Sequence, residues 1–150
     1  MGMERTLVLI KPDAMVKRLA GNVISEIYTT ELKMLGLKLV NVQRELAEKH
    51  YEEHRGKPFF EKLVKHLTGE FHNDENVMAI VYEGDNAIQK IRDLAGKTHP
   101  QEANPTSLRG KYGRVHSETN CFENVIHASD SIESAEKEIA IWFNENELVN

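Results

Sequence analysis

The sequence contains a single cysteine and no apolar run that is long enough to span a membrane. With Cys121 alone, no disulfide can form within the chain, which is typical of proteins from a reducing compartment. The N-terminus also lacks a basic segment followed by an apolar one, which is the pattern of a secretory signal. We therefore expect a cytoplasmic protein that does not contact membranes, and we assign Cys121 no catalytic role.

An excess of positive charge is absent as well. The 19 Lys and Arg residues and the 24 Asp and Glu residues give a formal net charge of −5, which argues against a specific nucleic-acid partner. A length of 150 residues without internal repeats predicts a single domain that covers residues 1–150. The charge is uneven, because residues 92–114 contain five cations and two anions. This local excess predicts one site for an anionic ligand.

Apolar patterns predict the order of the secondary-structure elements. Strands are predicted at residues 6–10, 38–45, 77–82 and 122–126. Helices are predicted at residues 22–35, 47–55, 58–67, 86–95 and from Asp130 onwards, where Asp130 and Glu133 form a capping box. Polar residues predict loops at 68–76 and 97–120. Without the short extra helices the order is βαββαβ, which predicts a ferredoxin-like α/β (α+β) sandwich with helices packed on one face of a four-stranded antiparallel sheet.

One histidine, His127, lies where a predicted strand meets a predicted helix. The first backbone N–H groups of a helix attract anions, and neutral imidazole is a competent nucleophile near pH 7. Lys11, Arg92 and Arg109 would supply the positive charge that phosphoryl transfer needs if the fold gathers them. At this point a purely structural histidine at the end of a strand is the alternative interpretation.

Two other histidines match a different pattern. His50 and His54 fit H-x-x-E-H, an inverted zinc-protease signature, which predicts a zinc peptidase. The pattern is short, its segment is rich in charged residues and no third ligand follows, so a solvated helix face is the favoured interpretation. We expect surface positions for the histidines in loop or polar contexts, which are His66, His72, His99 and His116.

Several segments, spread over nearly the whole chain, resemble the nucleoside diphosphate kinases. In the order of that family they are TLVLIKPD at 6–13, HY at 50–51, KPFF at 57–60, LRG at 108–110, NVIHASDS at 124–131, SAEKE at 134–138 and WF at 142–143. Arg92 stands six residues before Thr98, also in family order. The segment around His127 is highly specific, so the chain is identified as similar to this family.

The resemblance implies an enzyme that works by a ping-pong mechanism. His127 would take the γ-phosphate of a nucleoside triphosphate, typically ATP, and pass it from a phosphohistidine to a nucleoside diphosphate. Glu138 would orient the imidazole, with Ser129 beside it. The resemblance assigns the phosphates and the sugar to Lys11, Tyr51, Arg92, Thr98, Arg109 and Asn124. Phe59 would stack on the base, with Leu63 beside it, and such stacking accepts any base.

The resemblance also implies a cofactor and an assembly. Mg²⁺ would enter with the nucleotide phosphates, without a dedicated set of protein ligands. The family forms homo-oligomers, either hexamers or tetramers. A catalytically silent nucleotide-binding or scaffolding protein of the same fold is the alternative function.

The chain departs from the family pattern near the predicted site. The common Pro-Gly-Thr-Ile-Arg reads Pro105-Thr106-Ser107-Leu108-Arg109, so the glycine is missing. Ala128 replaces the glycine that usually follows the catalytic histidine. The loops around residues 69–76 and 114–122 are longer than in compact members. These differences predict an altered approach to His127.

Overall fold

The computed structural model describes residues 2–150, and an antiparallel sheet lies at its centre. The strands of this sheet are β1 (Met3–Ile10), β2 (Lys33–Val40), β3 (Val77–Asp85) and β6 (Ile126–Ala128), in the order β2-β3-β1-β6. A separate hairpin consists of β4 (Arg114–Val115) and β5 (Phe122–Glu123). The four-stranded antiparallel sheet with packed helices confirms the predicted fold class.

Helices connect the strands and close the fold. The α-helices of the described chain are α1 (Pro12–Val16), α2 (Ala20–Tyr28), α3 (Arg44–His50), α4 (Phe60–Leu67), α5 (Ala87–Ala95), α6 (Leu108–Tyr112) and α7 (Ile132–Trp142). Short 3-10 helices occur at Glu52–His54, Pro100–Glu102 and Glu145–Glu147. Within residues 2–150, no helix has both the length and the apolar character needed to cross a membrane.

Helices cover both faces of the sheet, so the prediction that they cover one face is wrong. Leu7 and Leu9 of β1 pack on the side of α3, α4 and α7, whereas Val8 and Ile10 pack on the side of α1, α2 and α5. All four side chains are fully buried. An unbroken apolar run is typical of a strand that is buried on both faces, and β1 therefore lies between two hydrophobic cores.

The segment that follows α2 differs most from the prediction. The helix predicted at 22–35 ends at Tyr28, and β2 begins at Lys33 rather than at residue 38. Gly36, predicted as a helix cap, lies inside β2, where an added Cβ would contact the side chains of Leu148 and Phe143. Apolar residues such as Leu35 fit a helical period as well as a strand, and pairing of β2 with β3 decides between the two.

The predicted loop at 97–120 contains local structure. It includes the 3-10 helix at Pro100–Glu102, helix α6 and strand β4. The backbone N–H and the hydroxyl of Thr106 both donate to Asn104 Oδ1, at 2.9 and 2.8 Å. Ser107 caps α6 by accepting from Gly110 N. Thr106 is not among the described residues with a positive φ, so this position does not require the glycine of the family pattern.

The predicted strand at 122–126 is divided by Val125, which has a φ of 74°. Two backbone contacts hold this residue, because Lys11 N donates to Val125 O at 2.9 Å and Val125 N donates to Asp13 Oδ2 at 3.0 Å. As a result His127 lies within β6, opposite Leu9, rather than after a strand. The cap of α7 is Ser131, which accepts from Ser134 N, so the predicted cap at Asp130 is wrong by one residue.

Candidate active site

A cavity of about 630 Å³ opens beside His127. It gathers residues from strands, helices and loops that are far apart in the sequence. The sequence-predicted site residues that line it are Lys11, Tyr51, Phe59, Leu63, Arg92, Thr98, Arg109, Asn124, His127 and Glu138. Ser129 is fully buried behind the cavity wall and reaches the site through Glu138. The fold therefore brings the predicted set together.

His127 is held by a carboxylate from the helix that follows it. Its Nε2 lies 2.8 Å from Glu138 Oε1. The Ser129 hydroxyl donates to the same carboxylate oxygen at 2.7 Å and accepts from Leu7 N at 3.1 Å. A carboxylate that accepts from Nε2–H leaves Nδ1 unprotonated, with its lone pair free. The arrangement therefore presents Nδ1 as a nucleophile.

A second histidine, His50, packs against His127, and sequence analysis did not foresee this contact. The two ring centroids are 4.4 Å apart, and Trp142 Nε1 donates to His50 Nδ1 at 3.1 Å. Burial, followed by the proximity of the His127 ring, holds the pKa of His50 well below its usual range. His50 is therefore neutral, with its proton on Nε2.

The zinc-protease pattern does not form a helix face. His50 ends α3, whereas His54 lies in the following 3-10 helix. No group of three or more His, Cys, Asp or Glu side chains within residues 2–150 is arranged to hold a metal ion. The geometry therefore gives the peptidase hypothesis no support.

Lys11 brings positive charge to the cavity from a buried position, and Arg109 does so from a partly buried one. The Lys11 ammonium group donates to Asn124 Oδ1 at 2.7 Å, and burial lowers the pKa of Lys11. The Arg109 guanidinium donates to the carbonyl oxygens of Gly96, Asn124 and Ile126 at 2.9, 3.1 and 2.8 Å. Burial, together with the charge of Arg92, lowers the pKa of Arg109 to about 10, so it stays cationic at neutral pH. Desolvated cations of this kind favour an anionic ligand.

Neutral donors and an apolar surface complete the cavity. Burial raises the pKa of Tyr51, so its phenol keeps the proton that it can donate. Asn124 Nδ2 donates to the carbonyl oxygen of Thr98 at 3.1 Å, which links two predicted contact residues. Phe59 is 44% exposed, so its ring does not belong to the hydrophobic core and is open to a ligand.

A buried acid–base pair supports the site from behind. Asp13 Oδ1 lies 3.0 Å from His66 Nε2, and each side chain is 1% exposed. Although burial opposes ionisation, the hydrogen bond with His66 lowers the pKa of Asp13. The expected surface positions of His66 and His72 are wrong, because both are buried. In the fold, His66 contacts Asp13 and His72 contacts Glu123. The polar sequence around each histidine did not predict these contacts.

Comparison with known proteins shows the family to which the chain belongs. The family model described as nucleoside diphosphate kinase matches residues 4–148 of the chain. The chain belongs to the nucleoside diphosphate kinase family. A curated nucleoside diphosphate kinase from Pyrococcus horikoshii is 49% identical over 145 residues, which cover 97% of this chain and 88% of that protein. Membership in the nucleoside diphosphate kinase family confirms the resemblance predicted from the motifs.

Solved structures of this family match the fold of the whole chain. A nucleoside diphosphate kinase from Halobacterium salinarum in complex with CDP is 39% identical, with a TM-score of 0.88 over 99% of this chain and 93% of that one. A Borrelia burgdorferi nucleoside diphosphate kinase, solved as a transition-state mimic with vanadate and ADP, is 33% identical. Its TM-score is 0.88 over 99% of this chain and 91% of that one.

Proposed function

We propose that the protein is a nucleoside diphosphate kinase that transfers the γ-phosphate of a nucleoside triphosphate, typically ATP, to a nucleoside diphosphate. The observation that carries the proposal is the contact of His127 with Glu138 in a cavity that Lys11, Arg92 and Arg109 line. The nucleotide complexes of family members support it, since CDP and ADP are bound in two of them. Family membership and geometry therefore favour turnover over a catalytically silent scaffold.

The chemistry follows a ping-pong sequence. Nδ1 of His127 attacks the γ-phosphorus in line, the bond from that phosphorus to the β–γ bridging oxygen breaks, and the nucleoside diphosphate leaves with the electron pair. Glu138 stabilises the positive charge that the imidazole acquires. A terminal oxygen of a second nucleoside diphosphate then attacks the phosphohistidine, and His127 returns to its starting state.

Each remaining site residue has a role that suits its chemistry. Lys11, Arg92 and Arg109 neutralise charge on the phosphate oxygens, since positive charge is what a phosphoryl-transfer transition state needs. We assign phosphate and sugar contacts to the neutral donors Tyr51, Thr98 and Asn124. Phe59 and Leu63 offer the base an apolar surface without hydrogen-bond readout, which gives low base selectivity.

The carboxylates that line the cavity suit a divalent cation that enters with the nucleotide. The carboxylates that line the cavity are Glu53, Asp130 and Glu138. Glu138 is occupied by His127 and Ser129, and no cage of three ligands occurs within the described chain. We propose that Mg²⁺ binds mainly through the nucleotide phosphates, where it neutralises phosphate charge.

We propose that the protein forms a homo-oligomer in the cytoplasm. Strand β2 lies at one edge of the sheet, so only one of its sides pairs with another strand of the described sheet. Leu37 and Leu39 on this strand are 49% and 60% exposed. An apolar edge strand is a site for pairing with another chain, and we assign a second copy of this protein to it. Sedimentation of the wild type and of Leu39→Lys tests this assignment, because the variant should dissociate into smaller species.

Steady-state exchange from ATP to GDP tests the proposed function. The proposal predicts parallel double-reciprocal lines for the two substrates in the wild type. It also predicts that His127→Ala loses exchange and still binds ADP, because the phosphate-binding side chains remain. Normal exchange by that variant, or nucleotide binding by the wild type without any turnover, would contradict the proposal.

A further inference from the structure

Several of the proposed nucleotide contacts meet at Asn124. Its side-chain Oδ1 accepts from Lys11 Nζ at 2.7 Å, and its Nδ2 donates to the carbonyl oxygen of Thr98 at 3.1 Å. Its own carbonyl oxygen accepts from Arg109 Nε at 3.1 Å. The residue is 6% exposed and lines the cavity. The position of Asn124 therefore affects three other residues to which the proposed function assigns phosphate or sugar contacts.

A buried carboxylate holds the backbone on each side of Asn124. Before it, Glu123 is 1% exposed and accepts from Arg114 Nε at 2.9 Å. After it, Val125 N donates to Asp13 Oδ2 at 3.0 Å, and Val125 has a left-handed φ of 74°. A β-branched residue rarely adopts this conformation, so surrounding contacts must impose it. Neither β5 nor β6 includes Asn124, so the contacts of its neighbours fix its position.

Each of these carboxylates contacts a buried histidine. Asp13 Oδ1 lies 3.0 Å from His66 Nε2. Glu123 Oε2 lies 3.2 Å from His72 Nε2. The two imidazole rings pack edge to face, with centroids 5.2 Å apart at an interplanar angle of 86°. His66 belongs to α4, whereas His72 belongs to the loop at 69–76, which is longer than in compact family members. The histidines therefore connect α4 and this loop to the segment that carries Asn124.

We propose that His72 is a positioning residue for phosphoryl transfer and that it acts through Glu123 on Asn124. The inference rests on the proposed function, which assigns a nucleotide contact to Asn124. His72 is not among the residues that line the cavity. Within residues 2–150, its ring nitrogens have no polar partner closer than Glu123. Misplacing a binding group by about 1 Å can cost about a hundredfold in rate, even when the altered residue is far from the chemistry.

Rapid-quench phosphorylation of the protein by two donors tests this role. ATP uses the contacts around Asn124, whereas phosphoramidate carries a phosphoryl group without a sugar or a base. His72→Phe and His72→Leu remove both ring nitrogens and keep apolar bulk of two different shapes, and His72→Gln keeps an N–H donor. We expect the two apolar variants to be phosphorylated by ATP about tenfold more slowly than the wild type, and by phosphoramidate at the wild-type rate.

Two variants should match the wild type with both donors. His72→Gln should do so because its amide can still donate to Glu123. Asp74→Asn is the matched control, because it changes an exposed side chain of the same loop. Two apolar variants keep the test independent of how one of them packs against His66. A loss that both share, and that His72→Gln restores, reflects the lost contact with Glu123.

A double-mutant cycle shows whether His72 acts through Asn124. ATP should phosphorylate the protein with both His72→Phe and Asn124→Ala no more slowly than the protein with Asn124→Ala alone, because the group that His72 positions is already absent. Multiplicative losses in the double variant, equal losses with both donors, or unchanged rates in both apolar variants would overturn the inference. A wild-type protein that neither donor phosphorylates would instead contradict the proposed function.

Discussion

Nε2 of His127 lies 2.8 Å from Oε1 of Glu138, and this contact determines which imidazole nitrogen is available for chemistry. The two residues come from β6 and α7, which are joined by a short turn capped at Ser131. Ser129 donates to the same oxygen and keeps the carboxylate in place. Because Glu138 holds the proton on Nε2, Nδ1 is the nitrogen with a free lone pair that can attack a phosphate.

Glu138→Gln should slow phosphorylation of the protein by ATP about a hundredfold, a typical loss when a positioned acid–base partner is removed. Glutamine preserves the size of the side chain and its oxygen, but it removes the charge that stabilises the imidazolium. Rapid-quench measurement of phosphoenzyme formation provides the rate, and KM for ATP should change little. Glu133→Gln, at an exposed position in the first turn of the same helix, is the matched control. Equal rates for the wild type and Glu138→Gln would exclude a role for the carboxylate.

Arg109→Lys should lower both stability and activity, although the charge is preserved. The guanidinium spans three carbonyl oxygens, which an ammonium group cannot reach with the same geometry. Each buried carbonyl that loses its donor costs about 1–3 kcal/mol of unfolding free energy. Urea unfolding checks the prediction, with Arg55→Lys in the exposed Glu52 pair as a control that should unfold like the wild type. An Arg109→Lys variant as stable as its parent would mean that these bonds contribute nothing.

Stability should fall as the pH drops below about 6.5, the ordinary pKa of histidine. Burial lowers the pKa of His66 and His50 in the folded protein, so the fold favours their neutral forms. Their contribution to the free energy of unfolding is complete above the pKa of histidine in the unfolded chain. It is lost as the pH falls towards the lower pKa values that these side chains have in the folded protein. His66→Gln keeps an N–H donor for Asp13 and removes one titrating group.

Urea unfolding of the wild type and of His66→Gln at several pH values measures this effect. Between pH 6.5 and 5, the variant should show a pH slope that is smaller by up to about 1.4 kcal/mol per pH unit. Above pH 7 the two proteins should depend on pH in the same way. Identical slopes at every pH would show that His66 does not take up a proton on unfolding.

Removal of divalent cations should abolish exchange and leave the fold unchanged. The cation is proposed to bind through the nucleotide, and no cage of protein ligands occurs in residues 2–150. Exhaustive chelation should therefore leave the thermal midpoint of unfolding where it was. Added Mg²⁺ alone should restore turnover. A requirement for zinc would instead support a role for His50 and His54.

Much of the fold was predictable because its signals are local. The apolar run of β1, the helix after residue 86 and the βαββαβ order all follow from patterns within short windows. The ambiguous stretch around Leu35 and Gly36 was not predictable, because its period fits both a helix and a strand. There the pairing with β3, a long-range contact, decides the outcome.

The candidate site shows the same division between local and long-range signals. The family resemblance, carried by short motifs along the chain, assigned site roles to residues that line the cavity. Trp142 contacts His50 across 92 positions of the sequence, and His66 contacts Asp13 across 53. No local sequence pattern predicts either contact. The left-handed backbone of Val125 was missed for the same reason, since it is held by Lys11 and Asp13 from the other end of the chain.

The position of the phosphate on the protein shows whether Nδ1 of His127 is the nucleophile. The wild type is incubated with γ-labelled ATP, digested under alkaline conditions that preserve phosphohistidine, and separated by chromatography that resolves the two phosphohistidine isomers. We expect an acid-labile label on Nδ1 of His127 that disappears when GDP is added. A label on Nε2, a label on another residue, or an unlabelled protein would contradict it.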